Sequence, residues 1–238
     1  EGDAVRLGLR MVYGLGSRAR HILEHARMQG DFRSAQECIR RCDLPRKSWL
    51  ILAKSGAFDA FFKTHRRRII WEVLHLERSA RDTLPLPLPL EESPKLISPS
   101  AIEVTSSDLE TMGLTTGEHP MTHLRPMLIK RGVKTASELK KYRNGQWIKV
   151  AGQVISRQRP STAKGFCFIS LEDEDGFVNV IVSPARFEEF WPVITRARFL
   201  CVEGVICFEQ GVWNVKGYRF GVLSFAGAEH AHEGRNFK

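Results

Sequence analysis

Two glycines with one apolar residue between them, Gly14 and Gly16, stand within Met11-Val-Tyr-Gly-Leu-Gly-Ser-Arg-Ala-Arg20, between two helical stretches. Glycine lets a backbone come close to a phosphate, and the free N–H groups opening the next helix form an anion site. Arg18 and Arg20 follow where they add positive charge, and Ala19 is small enough for two helices to pack closely. This is how a helix-hairpin-helix turn is written, although an ordinary glycine-rich connection between helices is written the same way. Ser55-Gly-Ala-Phe-Asp59 is a second candidate hairpin, whose glycine serves equally well as a helix C-cap.

A second kind of chemistry gathers further on. Arg157-Gln-Arg-Pro-Ser-Thr-Ala-Lys-Gly165 joins two predicted strands. In it Arg157, Arg159 and Lys164 supply cations, while Ser161 and Thr162 can donate to phosphate oxygens. Phe166, Phe168 and Phe177 are aromatic groups on which unpaired bases stack, each contact being worth ~1–3 kcal/mol. Alternate aromatics in a barrel strand are more often core, so at most one or two of the three are expected to be available. Two basic runs, Arg66-Arg-Arg68 and the diffuse set Lys130, Arg131, Lys134, Lys140, Lys141 and Arg143, read equally as phosphate contacts or as solvated faces.

No catalytic constellation is visible. Glu172-Asp-Glu-Asp175 is acidic, but it falls in a predicted hairpin turn and reads as a solvated loop. A two-metal site needs carboxylates brought together by a dedicated scaffold. His21 and His25, and Cys38 and Cys42, are four apart on predicted helices without the repeated spacing of a metal site. No metal and no cofactor is therefore expected. The odd count of five cysteines, irregularly spaced, points to reduced thiols rather than a disulfide framework.

The elements that must position these residues follow from the hydrophobic period. Residues 1–82 read as helical, with Ile69, Ile70, Val73, Leu74 and Leu76 on one face. Leu84-Pro-Leu-Pro-Leu-Pro-Leu90 forbids a helix and opens a proline-rich linker over 83–105. A helical connector is expected over 106–145, with helix starts at Ser106-Ser-Asp108 and at the capping-box pattern Thr135-Ala-Ser-Glu138. From Trp147 the period becomes two: Ile148, Val150 and Val154 alternate with Lys149, Gln153 and Arg157. Runs at 166–171 and 177–182 follow, joined by Asp175-Gly176 as a type I′ turn. A helix over 184–194 and strands over 199–208 and 212–220, joined around Gln210-Gly211, complete the set. Strand–strand–strand–helix–strand–strand over 146–224 is the order of an OB-type barrel, leaving 225–238 as a tail. The fold class is thus α+β and multidomain: an all-α helix-hairpin-helix domain, then a five-stranded OB-type barrel.

Lysine and arginine number 36 against 27 acids, a net charge of +9. A surplus of this size favours polyanion partners, because each phosphate neutralised releases condensed counterions. No stretch reaches the ~18 consecutive apolar residues of a membrane span. A soluble chain, cut from something longer, with no membrane partner is the expectation.

Four segments resemble bacterial C-family DNA polymerases of the DNA polymerase III alpha-subunit type, most closely their error-prone branch. Gly8-Leu-Arg-Met-Val-Tyr-Gly-Leu-Gly16 is similar to the family's tandem hairpin region. Leu52-Ala-Lys-Ser-Gly-Ala-Phe-Asp59, with Arg66-Arg-Arg-Ile-Ile-Trp71, resembles the segment closing it. Asp108-Leu-Glu-Thr-Met-Gly-Leu-Thr-Thr-Gly-Glu-His-Pro-Met121 resembles the Gly-x-His-Pro segment before the barrel. Val150-Ala-Gly-Gln-Val-Ile-Ser-Arg-Gln-Arg-Pro-Ser-Thr-Ala-Lys-Gly165, running on into Leu171-Glu-Asp-Glu-Asp-Gly176, is the most specific of the four, with Ser161 where the family leads one to expect glycine. The resemblance implies a DNA-binding C-terminal portion of a polymerase used in damage-induced, mutagenic repair synthesis, in the bacterial cytoplasm and at the nucleoid during repair. Its polymerase active site would lie in other domains. It implies primer–template duplex and single-stranded template as partners, and other subunits of a mutagenic polymerase complex. The contacts it implies are Gly14, Gly16, Arg18 and Arg20 in the hairpin, and Arg157, Arg159, Thr162, Lys164 and Phe166 at the barrel. A stand-alone OB-type RNA binder and a protein-docking module are the alternatives.

Overall fold

The computed structural model describes residues 7–81, 94–209 and 211–224. They fall into two compact units that divide between Thr116 and Gly117. Most of the proline-rich linker and the tail lie outside the described residues, as does Gln210.

In the first unit a 3-10 turn, Leu9–Met11, precedes α1 (Ser17–Met28), α2 (Ala35–Arg41), α3 (Arg46–Lys54), α4 (Asp59–Phe62), α5 (Arg66–Arg81) and α6 (Ala101–Met112). Leu15, Leu23, Cys38, Cys42, Trp49, Leu52, Ile69 and Val73 form its core. Ile69 and Val73 are the buried pair on the expected face of α5; Ile70 and Leu74 are half-buried, and the Leu76 side chain lies outside the description. Cys38 and Cys42 are core residues, and burial pushes the Cys38 thiol up to about 12. Helix α3 ends in a Schellman motif, with Gly56 at φ +73° and the Ala57 amide donating to the Leu52 carbonyl at 3.2 Å. The glycine of the second candidate hairpin is therefore a C-cap.

Helix α6 corrects two expectations. It starts at Ala101, inside the expected linker, because Ser100 and Glu103 form a reciprocal capping box. Ser106-Ser-Asp108, expected to open a helix, lies inside α6 instead, and the Asp108 carboxylate is buried against Arg66 at 2.7 Å.

The second unit opens with α7 (Pro120–Lys130), whose first turn is capped by His119 Nδ1 accepting from the Met121 amide. A 3-10 turn, Ser137–Lys141, follows the expected box at Thr135, where Glu138 accepts from the Thr135 amide at 3.0 Å. Strands β1 (Trp147–Gln158), β2 (Cys167–Asp173), β3 (Gly176–Val182), β4 (Phe199–Glu209) and β5 (Val212–Val222) close a barrel in the order β1-β2-β3-β5-β4. A parallel β3–β5 pair completes the circle. With a helical insert between β3 and β4, this is the OB-type Greek-key barrel. Ile148, Val150, Ile169, Leu171, Val178, Val180, Val202, Ile206 and Val215 fill the interior.

The single helix expected over 184–194 is two, α8 (Pro184–Glu189) and α9 (Trp191–Arg196). Pro192 has no N–H to continue the ladder of α8 and is tolerated in a first helical turn, so the chain restarts after Phe190. The β2–β3 turn also differs from the expected type I′. Its central residues are Glu174 and Asp175, and only Gly176 has positive φ, at +148°. Asp173 organises the turn instead: its carboxylate accepts from the amides of Asp175 (2.9 Å), Gly176 (3.0 Å) and Ala136 (2.8 Å) and pairs with Arg125 at 3.3 Å. Asp173 is buried, and desolvation raises its pKa against the pull of those amides. The acidic run expected to be merely solvated is thus the joint between α7, the Ser137 turn and the barrel.

Candidate nucleic-acid interface

Gly14 has φ +75°, a left-handed conformation that glycine adopts without strain, and a Cβ there would press on Ile51 at 3.2 Å. The turn drives Leu15 into the core and delivers Gly16 as the N-cap of α1. Gly16 has an ordinary φ of −61°, and a Cβ on it would meet nothing within 4 Å. The fold itself makes no demand for glycine at 16. The N-cap, Gly16, has no side chain to cap the first turn of α1, and Gly16, Ser17 and Arg18 are exposed, so the positive end of the helix dipole lies at the surface. Arg18 is exposed beside them. Arg20 is half-buried and donates from Nη1 to the Leu15 carbonyl at 2.7 Å, so it braces the turn.

The Arg66–Arg68 run is neither a solvated face nor an open phosphate site. Arg66 donates to Asp59 at 2.9 Å and to the Lys54 and Val104 carbonyls, besides its Asp108 pair. Arg67 reaches the Ile97 carbonyl and Glu103, and Arg68 pairs with Glu72. A Cβ at Gly56 would overlap the Arg66 guanidinium, which explains a second demand for glycine there.

On the barrel the decisive detail is a bulge. Pairing of β1 with β2 slips between Val154 and Ser156, so Val154 pairs with Leu171 and Ser156 with Ser170. One extra residue reverses the parity of the strand. Arg157, expected to point outward, pairs with the buried Ile169 and points in. Its guanidinium donates to the Ile194 carbonyl at 2.5 Å and to that of Ala197, capping the C-terminal end of α9. Burial lowers its pKa from the usual arginine value. Arg157 therefore leaves the set of surface cations.

The same bulge assembles the outer face. Gln158, Phe168, Ile181 and Lys216 form one cross-strand row, and Ser156, Ser170, Asn179 and Asn214 the next. Phe166 and Phe168 are each more than a third exposed and Phe177 is 64% exposed, so all three are on the surface. All three are exposed, against the expectation of at most one or two, because the inward positions of β2 and β3 are already filled by Cys167, Ile169, Leu171, Val178, Val180 and Val182. Arg159 lies over the Phe187 ring at 4.4 Å and donates to the Gly165 carbonyl, holding the loop closed at its base. A short 3-10 turn, Ser161–Ala163, presents Ser161 and Thr162 outward, and Lys164 follows, exposed, at φ +49°. Asn179, Asn214 and Lys216 were not among the residues singled out from sequence. Their signal was available as polar positions alternating with Val178, Val180 and Val215. Cys207 and Glu209 raise the pKa of Lys216, whose ammonium lies 3.6 Å from the Glu209 carboxylate.

A helix-hairpin-helix motif model matches residues 1–69, and an OB-fold nucleic acid binding domain model matches residues 136–221. Error-prone DNA polymerase of Methylococcus capsulatus is 39% identical over 216 residues, covering 88% of this chain and 20% of that protein. That of Anaeromyxobacter sp. strain K is 38% identical over 232 residues, covering 97% and 20%. The chain is a relative of one region of the error-prone DNA polymerases. It spans about a fifth of the length of those polymerases. Among solved structures, asparaginyl-tRNA synthetase from Pyrococcus horikoshii matches 39% of the chain at 22% identity, with a TM-score of 0.34 and 23% of its own length covered. The helix-hairpin-helix match falls in the helical unit and the match to an OB-fold nucleic acid binding domain falls on the barrel. Among the described residues no helix is long and apolar enough to cross a membrane.

Proposed function

We propose that this chain is the DNA-gripping, C-terminal portion of an error-prone DNA polymerase that works in damage-induced repair synthesis in the bacterial cytoplasm. In this reading the hairpin at Gly14–Gly16 holds duplex backbone through the open N-terminus of α1, with Arg18 adding charge and Arg20 keeping the turn in shape. The barrel takes unpaired template, with phosphates at Arg159, Thr162 and Lys164 and bases on Phe166 and Phe168. Arg157 acts as a positioning residue beneath that loop. Nucleotidyl transfer belongs to other parts of the polymerase, and other subunits of a mutagenic complex are its protein partners. The observation that carries the reading is the pair of outward rows Gln158–Phe168–Ile181–Lys216 and Ser156–Ser170–Asn179–Asn214 beside the loop that ends in Lys164 and Phe166: exposed rings, amides and cations on one face. That is the composition of a single-strand platform.

Fluorescence anisotropy with labelled primer–template, single-stranded DNA and matched RNA across a salt series tests it. Micromolar or tighter DNA binding that weakens steeply with salt is the expected result. Absence of binding at low salt overturns the reading, and a preference for RNA replaces it with a stand-alone RNA-binding module.

A further inference from the structure

Strand β5 continues past the face just described. Its outward positions run Asn214, Lys216 and Tyr218. Pairing with β4 then slips, Gly204 opposing Gly217 and Glu203 opposing Arg219, which leaves Tyr218 as the extra residue. Tyr218 and Arg219 consequently both face solvent in succession. Two glycines enforce this bulge: a Cβ at Gly204 would overlap the Lys216 carbonyl oxygen, and one at Gly217 would strike the Phe220 ring. Bulges re-aim side chains, and here the re-aimed pair meets an aromatic neighbour. The Trp147 indole, half exposed, lies 5.5 Å from the Tyr218 ring with the planes 32° apart. Arg186 of α8 stands 5.9 Å over the same tyrosine ring. With Arg219, with Glu189, which pairs with Arg186 at 2.5 Å, and with Phe190 and Phe220 behind them, these residues line a groove of about 610 Å³.

We propose that this groove is a second stacking site for single-stranded nucleic acid. It takes an unpaired base against Trp147 and Tyr218 and the adjoining phosphate on Arg219 and Arg186. The proposal rests on the reading of the barrel face as a single-strand platform, which it extends along β5. Tryptophan, tyrosine and arginine are also the residues of protein contacts. Continuity decides for nucleic acid: Lys216 and Tyr218 are two positions apart on one strand, about 7 Å, so a strand crossing Asn214 and Lys216 arrives at the tyrosine. Arg219 is 76% exposed, with Glu203 at 3.8 Å as a loose partner, so it is free to meet a phosphate. The groove also lies within the ~300–1,000 Å³ range of small-molecule sites.

The test uses the full chain with oligothymidylates of two lengths, one covering a single ~4–16-nucleotide barrel site and one about twice as long, some carrying 5-iodouracil for photo-crosslinking. Trp147→Ala and Tyr218→Ala are expected to weaken the longer oligomer about fivefold or more and to leave the shorter one unchanged. Tyr218→Phe retains binding, Arg219→Glu weakens the longer oligomer as the ring deletions do, and crosslinks map to Trp147 or Tyr218. Circular dichroism melts confirm that each variant is folded. Parental affinity of the Trp147, Tyr218 and Arg219 variants at both lengths, with crosslinks confined to β2 and β3, overturns the groove, leaves the barrel reading standing and marks the groove as a protein contact. A Phe168→Ala variant that also binds as the parent does, or a chain that binds no single strand, overturns the barrel reading and the groove with it.

Discussion

In the helical unit the three arginines at 66–68 turn toward the unit's own carboxylates and carbonyls, and the outward chemistry is a glycine turn with bare amides at the start of α1. In the barrel Arg157 also turns inward, onto the end of α9, but Lys164, Phe166, Phe168 and Lys216 remain at the surface. The comparison separates two ways of meeting a nucleic acid. Backbone amides behind glycines recognise phosphate and are indifferent to bases, whereas exposed rings need bases that are unstacked. It also shows that basic residues do different work from what their charge suggests. A net charge of +9 draws a polyanion, yet several of the densest cations hold the fold.

The largest expected effect concerns Arg66. Arg66→Ala leaves Asp108 buried without its partner and is expected to destabilise the helical unit by ~3–5 kcal/mol. Hydrogen exchange should accelerate in α3–α6 and stay unchanged in β1–β5; equal protection in both units would show that the ion-pair cluster is dispensable. Next come the rings. Phe166→Ala and Phe168→Ala are each expected to reduce single-strand affinity by ~5–150-fold, with stability changed by less than ~0.5 kcal/mol. Anisotropy and urea unfolding on the same samples check both halves.

Arg157 and Lys164 sharpen the contrast inside a single loop. Arg157→Ala is expected to lower barrel stability by ~1–3 kcal/mol and to leave the salt dependence of DNA binding unaltered. Lys164→Ala should do the reverse, reducing the slope of log K against log salt by about one with no loss of stability. Exchanged outcomes would return Arg157 to the binding surface.

The smallest effect is a pH dependence. His119 caps α7 through an unprotonated Nδ1, and burial holds its pKa below the usual 6.5. A lowered folded pKa means a contribution that is complete above about pH 6.5 and is lost as the pH falls through the lower folded value. His119→Asn retains a capping acceptor without titrating. The difference in melting temperature between parent and variant should shift with pH between about 7 and 5; a constant difference would remove His119 from the cap.

The strands were legible because Val178, Val180 and Val182 alternate with surface residues, and the hairpin because Gly14-Leu15-Gly16 is a local pattern. Register was not legible. The slip at Val154/Ser156 is a property of two strands together, and no feature of β1 alone announces that Arg157 reverses face. The fate of the Arg66–Arg68 run was hidden for a similar reason, since Asp108 and Glu103 are brought to it by a helix far along the chain. Ser106-Ser-Asp108 misled because cap-forming residues are also those that partner buried cations. At the candidate site the loop chemistry was visible, while Asn179, Asn214 and Lys216 became neighbours only through the parallel pairing of β3 with β5.

That parallel closure has a consequence for the order in which the molecule is made. Strand β5 is the last of the barrel to leave the ribosome, and it supplies Asn214, Lys216, Tyr218 and Arg219. Non-local pairings of this kind form late, after the chain between them has been ordered. A nascent chain that has emerged only as far as β4 holds Lys164, Phe166 and Phe168 but has neither Asn214 nor Lys216 to complete the cross-strand rows. The face proposed for single strands therefore gains its β5 side, Asn214, Lys216 and Tyr218, only with the seating of the final strand, and an incomplete translation product holds the loop and the rings alone.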